Sequence, residues 1–161
     1  MSAFSAERWR SNLLEVYLSI LNAEKRGNLF PNHITDFKQE NDQLFFTTQN
    51  GVILELTVLR DSMIRFRYAT EHAFEPDFSY AISKEVITGY NNLVVREEIP
   101  EYVVETSKIR IYINKSNLKV QIHDLDDVPI NEDDAGFHWE ENYDYGGNVV
   151  KMTKVTQNGE S

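Results

Sequence analysis

The sequence predicts an all-β protein: a two-sheet antiparallel β-sandwich carrying one N-terminal α-helix. Three observations lead there. From Ile34 to Val155, apolar residues recur at every second position, as in Leu54-Leu56-Val58, Ile64-Phe66-Tyr68, Ile109-Ile111-Ile113 and Leu118-Val120-Ile122. The positions between them are mostly polar (Arg65, Arg67, Arg110, Lys119, Gln121). Successive strand side chains point to opposite faces, so this alternation builds sheets with one packed face and one wet face. The runs are also short, evenly spaced and bounded by turn residues, the layout of a sandwich or barrel. Only the residues before Pro31 break the period.

That first segment reads as a helix over about Ala6 to Arg26. Ser5 caps its start, and Trp9, Leu13, Leu14, Tyr17, Ile20 and Leu21 follow at spacings of three and four. Gly27 ends it behind Lys25 and Arg26, whose charge suits a helix C-terminus. Its apolar stripe packs on a sheet or, in the rarer case, docks a partner. Residues 1–30 are thus helix and connector, and residues 31–161 the sandwich.

The strands follow in order. His33–Gln39 and Gln43–Thr48 are joined by Glu40-Asn41-Asp42, and Gln49-Asn50-Gly51 is an Asn-Gly turn. The next strand, over 52–59, is apolar on both faces (Ile53 and Leu59 against Leu54, Leu56 and Val58) and is expected to be central and covered on both sides. It turns at Asp61-Ser62 and returns as Met63–Ala69. After a loop around Pro76, strands are expected at Tyr80–Ser83, Asn92–Glu98, Tyr102–Thr106, Lys108–Asn114, Leu118–His123, Val128–Ile130, Phe137–Glu141 and Asn148–Val155. No fixed-period repeat or low-complexity linker interrupts them.

Composition excludes several classes. A chain of 161 residues suits one domain and buries about 70% of its unfolded surface. With no cysteine, neither a disulfide framework nor a thiolate zinc site can form. A net charge of −10 argues against nucleic acid, where phosphate neutralisation dominates binding. No stretch approaches the ~20 apolar residues of a membrane span, so no membrane partner is expected. Glu7, Arg8 and Arg10 at the start are the wrong layout for a secretory signal, which favours a cytoplasmic protein over a secreted one. The acidity is local: Asp124 to Asp144 holds nine carboxylates and no Lys or Arg, leaving 17 acids against 16 bases elsewhere.

Candidate chemistry is sparse. His33, His72, His123 and His138 fall on different elements with no metal-ligand spacing, and Gly146-Gly147 is a lone turn rather than a phosphate loop. Asp124, Asp126 and Asp127 with Glu132, Asp133 and Asp134 read first as a solvated turn segment. Calcium ligation is the alternative, but the spacing is not that of an EF-hand loop, and Val128-Pro129 interrupts it. Glycosidic acid/base work needs two carboxyls about 5–9 Å apart with one pKa raised by burial, which hydrated acids do not supply. Trp139, Tyr143 and Tyr145, interleaved with these acids, are the candidate sugar-binding residues, since rings stack on sugars while carboxylates accept hydroxyl hydrogen bonds. Their simpler reading is inward alternation on a strand for Phe137 and Trp139 and turn-flanking tyrosines.

The run Asp61-Ser62-Met63-Ile64-Arg65-Phe66-Arg67-Tyr68, then Phe74-Glu75-Pro76-Asp77-Phe78-Ser79-Tyr80-Ala81-Ile82, resembles the N-terminal domain of glycoside hydrolase family 31. The resemblance continues through Tyr102–Thr106, Lys108–Ile111 and Val120–Asp124 to Gly159-Glu160, covering roughly residues 33–161. Order and spacing carry it rather than any single string. The helix before Leu29 is a departure from many members. What the resemblance implies is a galactose-mutarotase-like supersandwich that packs on a catalytic (β/α)8 barrel of the same chain. The family's catalytic aspartates lie in that barrel, so no catalytic residue carries over, and no metal or cofactor is implied. The expectation is a non-catalytic support domain of a retaining α-glycosidase, an α-glucosidase acting on α-linked oligosaccharide, ending before the barrel. Such a domain exposes an apolar docking face. An autonomous carbohydrate-binding module and an interaction domain docking through its helix are the rival expectations.

Overall fold

The computed structural model describes residues 28–71, 73–74, 90, 92–142 and 147–156. The expected helix over Ala6–Arg26 and the expected strand over Tyr80–Ser83 lie outside the described residues. Ten strands are formed among those described: β1 (Ile34–Glu40), β2 (Gln43–Thr48), β3 (Ile53–Arg60), β4 (Met63–Ala69), β5 (Val94–Glu97), β6 (Glu101–Glu105), β7 (Ile109–Asn114), β8 (Val120–Asp124), β9 (Pro129–Asn142) and β10 (Gly147–Lys154). They make two antiparallel meanders, a four-stranded sheet in the order β1-β2-β3-β4 and a six-stranded sheet in the order β10-β9-β8-β7-β6-β5.

Turn chemistry sets the registers. Asn41, at φ 55°, makes the short loop that pairs Glu40 with Gln43. Gly51, at φ 86°, supplies the left-handed residue of the Asn-Gly turn, and Thr48 N–H donates to Val52 O at 2.9 Å. Arg60 pairs with Met63 across Asp61-Ser62. In each hairpin the loop fixes which strand face is buried, because a one-residue slip would turn every side chain over.

The core lies between the inner faces. Leu44, Phe46, Leu54, Leu56 and Val58 from one sheet, and Val104, Ile111 and Ile113 from the other, are fully buried. Three rings bridge the sheets, with centroids of Phe37–Phe46, Phe37–Tyr102 and Phe46–Tyr102 at 5.1, 5.0 and 5.2 Å. Nearer β9, Tyr68 and Phe137 stack at 4.2 Å with planes 4° apart. At one corner Thr106 Oγ1 donates to Asp61 O at 2.6 Å, pinning the β3–β4 turn to β6. As expected, β3 is interior to its sheet and buried on both faces. Its second face, however, buries Glu55 and Thr57 as well as Leu59.

Two expectations need correction. Val128–Ile130 and Phe137–Glu141 are not separate strands flanking a solvated acidic turn: the single 14-residue β9, Pro129–Asn142, takes in all of the second and all but Val128 of the first. Leu118 is not in a strand either. It sits at φ 58° in the β7–β8 connection, 1% exposed, with its N–H donating to Asn114 O. A buried leucine in the turn mimics a strand residue in the sequence, because alternation records burial and not pairing.

The chain divides into two compact units, residues 30–138 with 151–161, and residues 1–29 with 139–150. In the smaller one, Leu29 and Trp139 form an antiparallel bridge, each N–H donating to the other's carbonyl at 2.7 and 3.0 Å.

Candidate functional site

Of the residues singled out for sugar contact, Trp139 is 7% exposed and held by its backbone to Leu29. Tyr143 and Tyr145 lie outside the described residues. Among the described residues the histidines are dispersed. His33 is exposed, and His138 is buried against the Phe30 ring with Nδ1 3.0 Å from Gly136 O. His123 is half-buried on β8. No group of three His, Asp or Glu side chains converges as metal ligands among the described residues.

Most of the site's chemistry lies in the acidic run, inside β9. Backbone pairing of β8 with β9 runs through Ile122–Asn131 and Gln121–Glu132. Next along β8, Val120 N–H donates to a side chain, Asp133 Oδ2, at 2.8 Å. The Asp133 side chain is fully buried, and its Oδ1 is 2.6 Å from Lys154 Nζ on β10, an ion pair off the best hydrogen-bonding alignment. One carboxylate therefore ties β8, β9 and β10 together. Gly136, at φ 73°, makes room for it: a Cβ there would lie 3.1 Å from Asp133 Oδ2. Burial, and secondarily the charge of Asp133, push the Tyr68 hydroxyl far above the ordinary tyrosine range, so it stays protonated.

A second buried acid lies in the four-stranded sheet. Glu55 Oε2 accepts from Arg67 at 2.9 Å on the neighbouring strand, Thr57 donates to Oε1 at 3.1 Å, and the Arg67 guanidinium covers the Phe74 ring at 4.7 Å. Arg67 thus meets its acid in a partly dry setting, where the guanidinium balances the Glu55 charge.

The outer face of the six-stranded sheet carries a ladder of alternating charge. Arg96 reaches Glu98 and Glu105, each at 3.2 Å, and Arg110 reaches Glu105 at 2.9 Å. These hydrogen bonds, Arg110's first, hold the Glu105 carboxyl below the usual range. Outside this ladder, on the face that carries Tyr102, Lys115 likewise lowers the Glu97 carboxyl from 2.9 Å, while its ammonium lies over the Tyr102 ring. Further along, Tyr112 donates to Asp127 Oδ1 at 2.7 Å, and His123 lies 3.3 Å from the same oxygen; the tyrosine contributes most to lowering the Asp127 pKa. On and beside β9 and β10, apolar side chains face solvent: Val128 and Ile130 are each 55% exposed, Val155 47% and Met152 43%.

Neither buried carboxylate was legible as such, because a paired Asp inside a strand has the same letters as a solvated one. The one available signal was Gly136 three residues after Asp133, a glycine inside a strand pattern, which marks close approach.

Two stacked antiparallel meanders, with their acids spent on bracing strands, define a β-sandwich domain of the galactose-mutarotase-like kind. Residues 53–161 match the family described as the glycosyl hydrolase 31 N-terminal galactose mutarotase-like domain, and the chain belongs to it. Similar solved structures include a Flavobacterium johnsoniae GH31 dextranase complexed with glucose, at 19% identity and TM-score 0.65, with 81% of this chain and 16% of that chain covered. The same dextranase as mutant D412A, complexed with isomaltotriose, gives 20% identity and TM-score 0.60 over 70% of this chain and 15% of that one. The cycloalternan-forming enzyme of Listeria monocytogenes, in complex with a pentasaccharide substrate, gives 13% identity and TM-score 0.56 over 71% of this chain and 11% of that one. At these identities the likeness is one of fold, and the chain spans less than a fifth of either enzyme. No curated protein matches the chain.

Proposed function

We propose that this chain is the non-catalytic N-terminal domain of a retaining α-glycosidase, an α-glucosidase, which supports a catalytic (β/α)8 barrel of the same polypeptide and shapes one side of its active-site mouth. The observation that carries the reading is the family match over residues 53–161. The similar solved structures are much longer enzymes, a GH31 dextranase and a cycloalternan-forming enzyme. The described acids fit a supporting role: Asp133 and Glu55 are engaged by Lys154, Val120, Arg67 and Thr57, and brace strands. Val128, Ile130, Met152 and Val155 supply apolar surface of the sort that another domain covers. The parent reaction is then hydrolysis of a terminal α-linked sugar through a covalent glycosyl-enzyme intermediate, with both carboxylates on the barrel.

Three measurements test this. The reading frame beyond Ser161 should encode a barrel; a stop codon there overturns the proposal. The chain by itself should release no p-nitrophenol from p-nitrophenyl α-glucoside, and turnover above background would overturn the non-catalytic assignment. Titration with maltooligosaccharides, followed by tryptophan fluorescence, should be flat. Saturable binding lost in Trp139→Ala would instead establish a carbohydrate-binding module.

A further inference from the structure

We propose that His123 is a proton-operated latch on the β8–β9 hairpin, closed when both of its ring nitrogens carry hydrogen. The imidazole stands between two carboxylates, with Nδ1 3.3 Å from Asp127 Oδ1 and Nε2 3.4 Å from Glu132 Oε1. The Nε2 atom is buried and lacks a well-aligned hydrogen-bond partner. A neutral imidazole has one N–H and one lone pair. With the hydrogen on Nδ1, the buried Nε2 lone pair faces Glu132. With it on Nε2, the Nδ1 lone pair faces an Asp127 oxygen that already accepts from Tyr112. Only the imidazolium offers a donor to each carboxylate. Asp127 belongs to the turn and Glu132 to β9, so one proton joins the turn to the returning strand.

The surrounding charges are consistent with this. From β7, Arg110 lies opposite His123 in the register and 3.9 Å from Asp127 Oδ1, and would compete for that oxygen. Its Nε is held at 2.9 Å by Glu105 from β6, which balances its charge. Tyr112 meets the ring edge-on with centroids 5.0 Å apart. In the turn, Asp124 Oδ1 accepts from the N–H groups of Asp126 and Val128 at 2.9 Å, adding negative charge beside His123. Asp126 is exposed, and β9 contributes Glu132. When the proton leaves, the turn keeps its backbone bonds but loses its side-chain tie to β9. The segment bearing exposed Leu125 and Val128 then loosens while the sheet persists.

Nitrogen-15 long-range correlation spectra of the whole chain report the protonation of both His123 ring nitrogens across about pH 5–9. Amide hydrogen exchange at Asp127 and Val128 reports the turn. As His123 loses its proton, protection corrected for intrinsic exchange should fall by about two- to fivefold, the range of a partly exposed ion pair. His123→Gln should abolish that pH step with the far-UV spectrum unchanged, and Glu132→Gln, which removes the charged acceptor on β9, should shrink it. Turn protection indifferent to the protonation of His123, or a pH step undiminished in Glu132→Gln, would overturn the latch.

Discussion

Replacing Asp133 by alanine removes a fully buried side chain that joins three strands. The Val120 N–H loses its carboxylate acceptor at 2.8 Å and stays buried, since Val120 is 2% exposed. A hydrogen bond to a charged group contributes about 1.5–3 kcal/mol. Breaking a fully buried ion pair costs about 3–5 kcal/mol, but Lys154 is 37% exposed and its ammonium can turn to water. The pair is therefore discounted to a surface-like value of up to about 1 kcal/mol. The sum is about 3 kcal/mol. For 161 residues that lowers Tm by about 6–12 °C. Urea unfolding followed by tryptophan fluorescence, with a thermal scan by circular dichroism, measures it. Asp133→Asn, which keeps an acceptor for Val120, should lose about half as much, and Lys154→Met less than about 1 kcal/mol. A loss below about 1 kcal/mol in Asp133→Ala would refute the reasoning, because a carboxylate that cheap to remove is solvated and not bracing the sheet.

Two further outcomes follow from the same geometry. Gly136→Ala places a Cβ 3.1 Å from Asp133 Oδ2 at φ 73°, so it should destabilise by at least about 1–2 kcal/mol in urea unfolding. Gly136→Ala in an Asp133→Ala background should cost less than it does alone, since the crowded atom is gone. The second outcome concerns acid. Glu105, Glu97 and Asp127 all have folded pKa values lowered by hydrogen-bonded partners, Arg110, Lys115 and Tyr112 respectively. A depressed folded pKa contributes stability that is present above the unfolded value and lost as pH falls through the folded one. Stability from these groups should therefore hold at neutral pH and decline below about pH 4. These side chains are exposed enough to be screened, so 1 M salt should flatten the decline; an unchanged profile in salt would argue that other carboxylates dominate it.

Strand positions were legible where period two meets good turn chemistry. β2 and β4 begin and end at the expected residues because Asn41, the Asn-Gly pair and Asp61-Ser62 punctuate them. β3 was recognisable as central from apolar residues on both of its faces. The reading fails between Asp124 and Glu141, where polarity does not mean exposure: Asp133 is buried. β9 is a strand because its backbone pairs with β8 and because Lys154, 21 residues beyond Asp133, returns to neutralise the buried acid. Local pattern carries no information about a partner that distant.

By itself the sequence determined an all-β sandwich, a family resemblance in the order of its strands, and the absence of thiol chemistry. These follow from alternation, turn residues and composition, which are local or additive properties. Only the tertiary structure decided which acids are buried. It sank Asp133 and Glu55 beside their cations and left Asp126 in water, although all three read alike along the chain. Burial of a charge depends on the cation and the N–H groups that the fold brings within hydrogen-bonding reach.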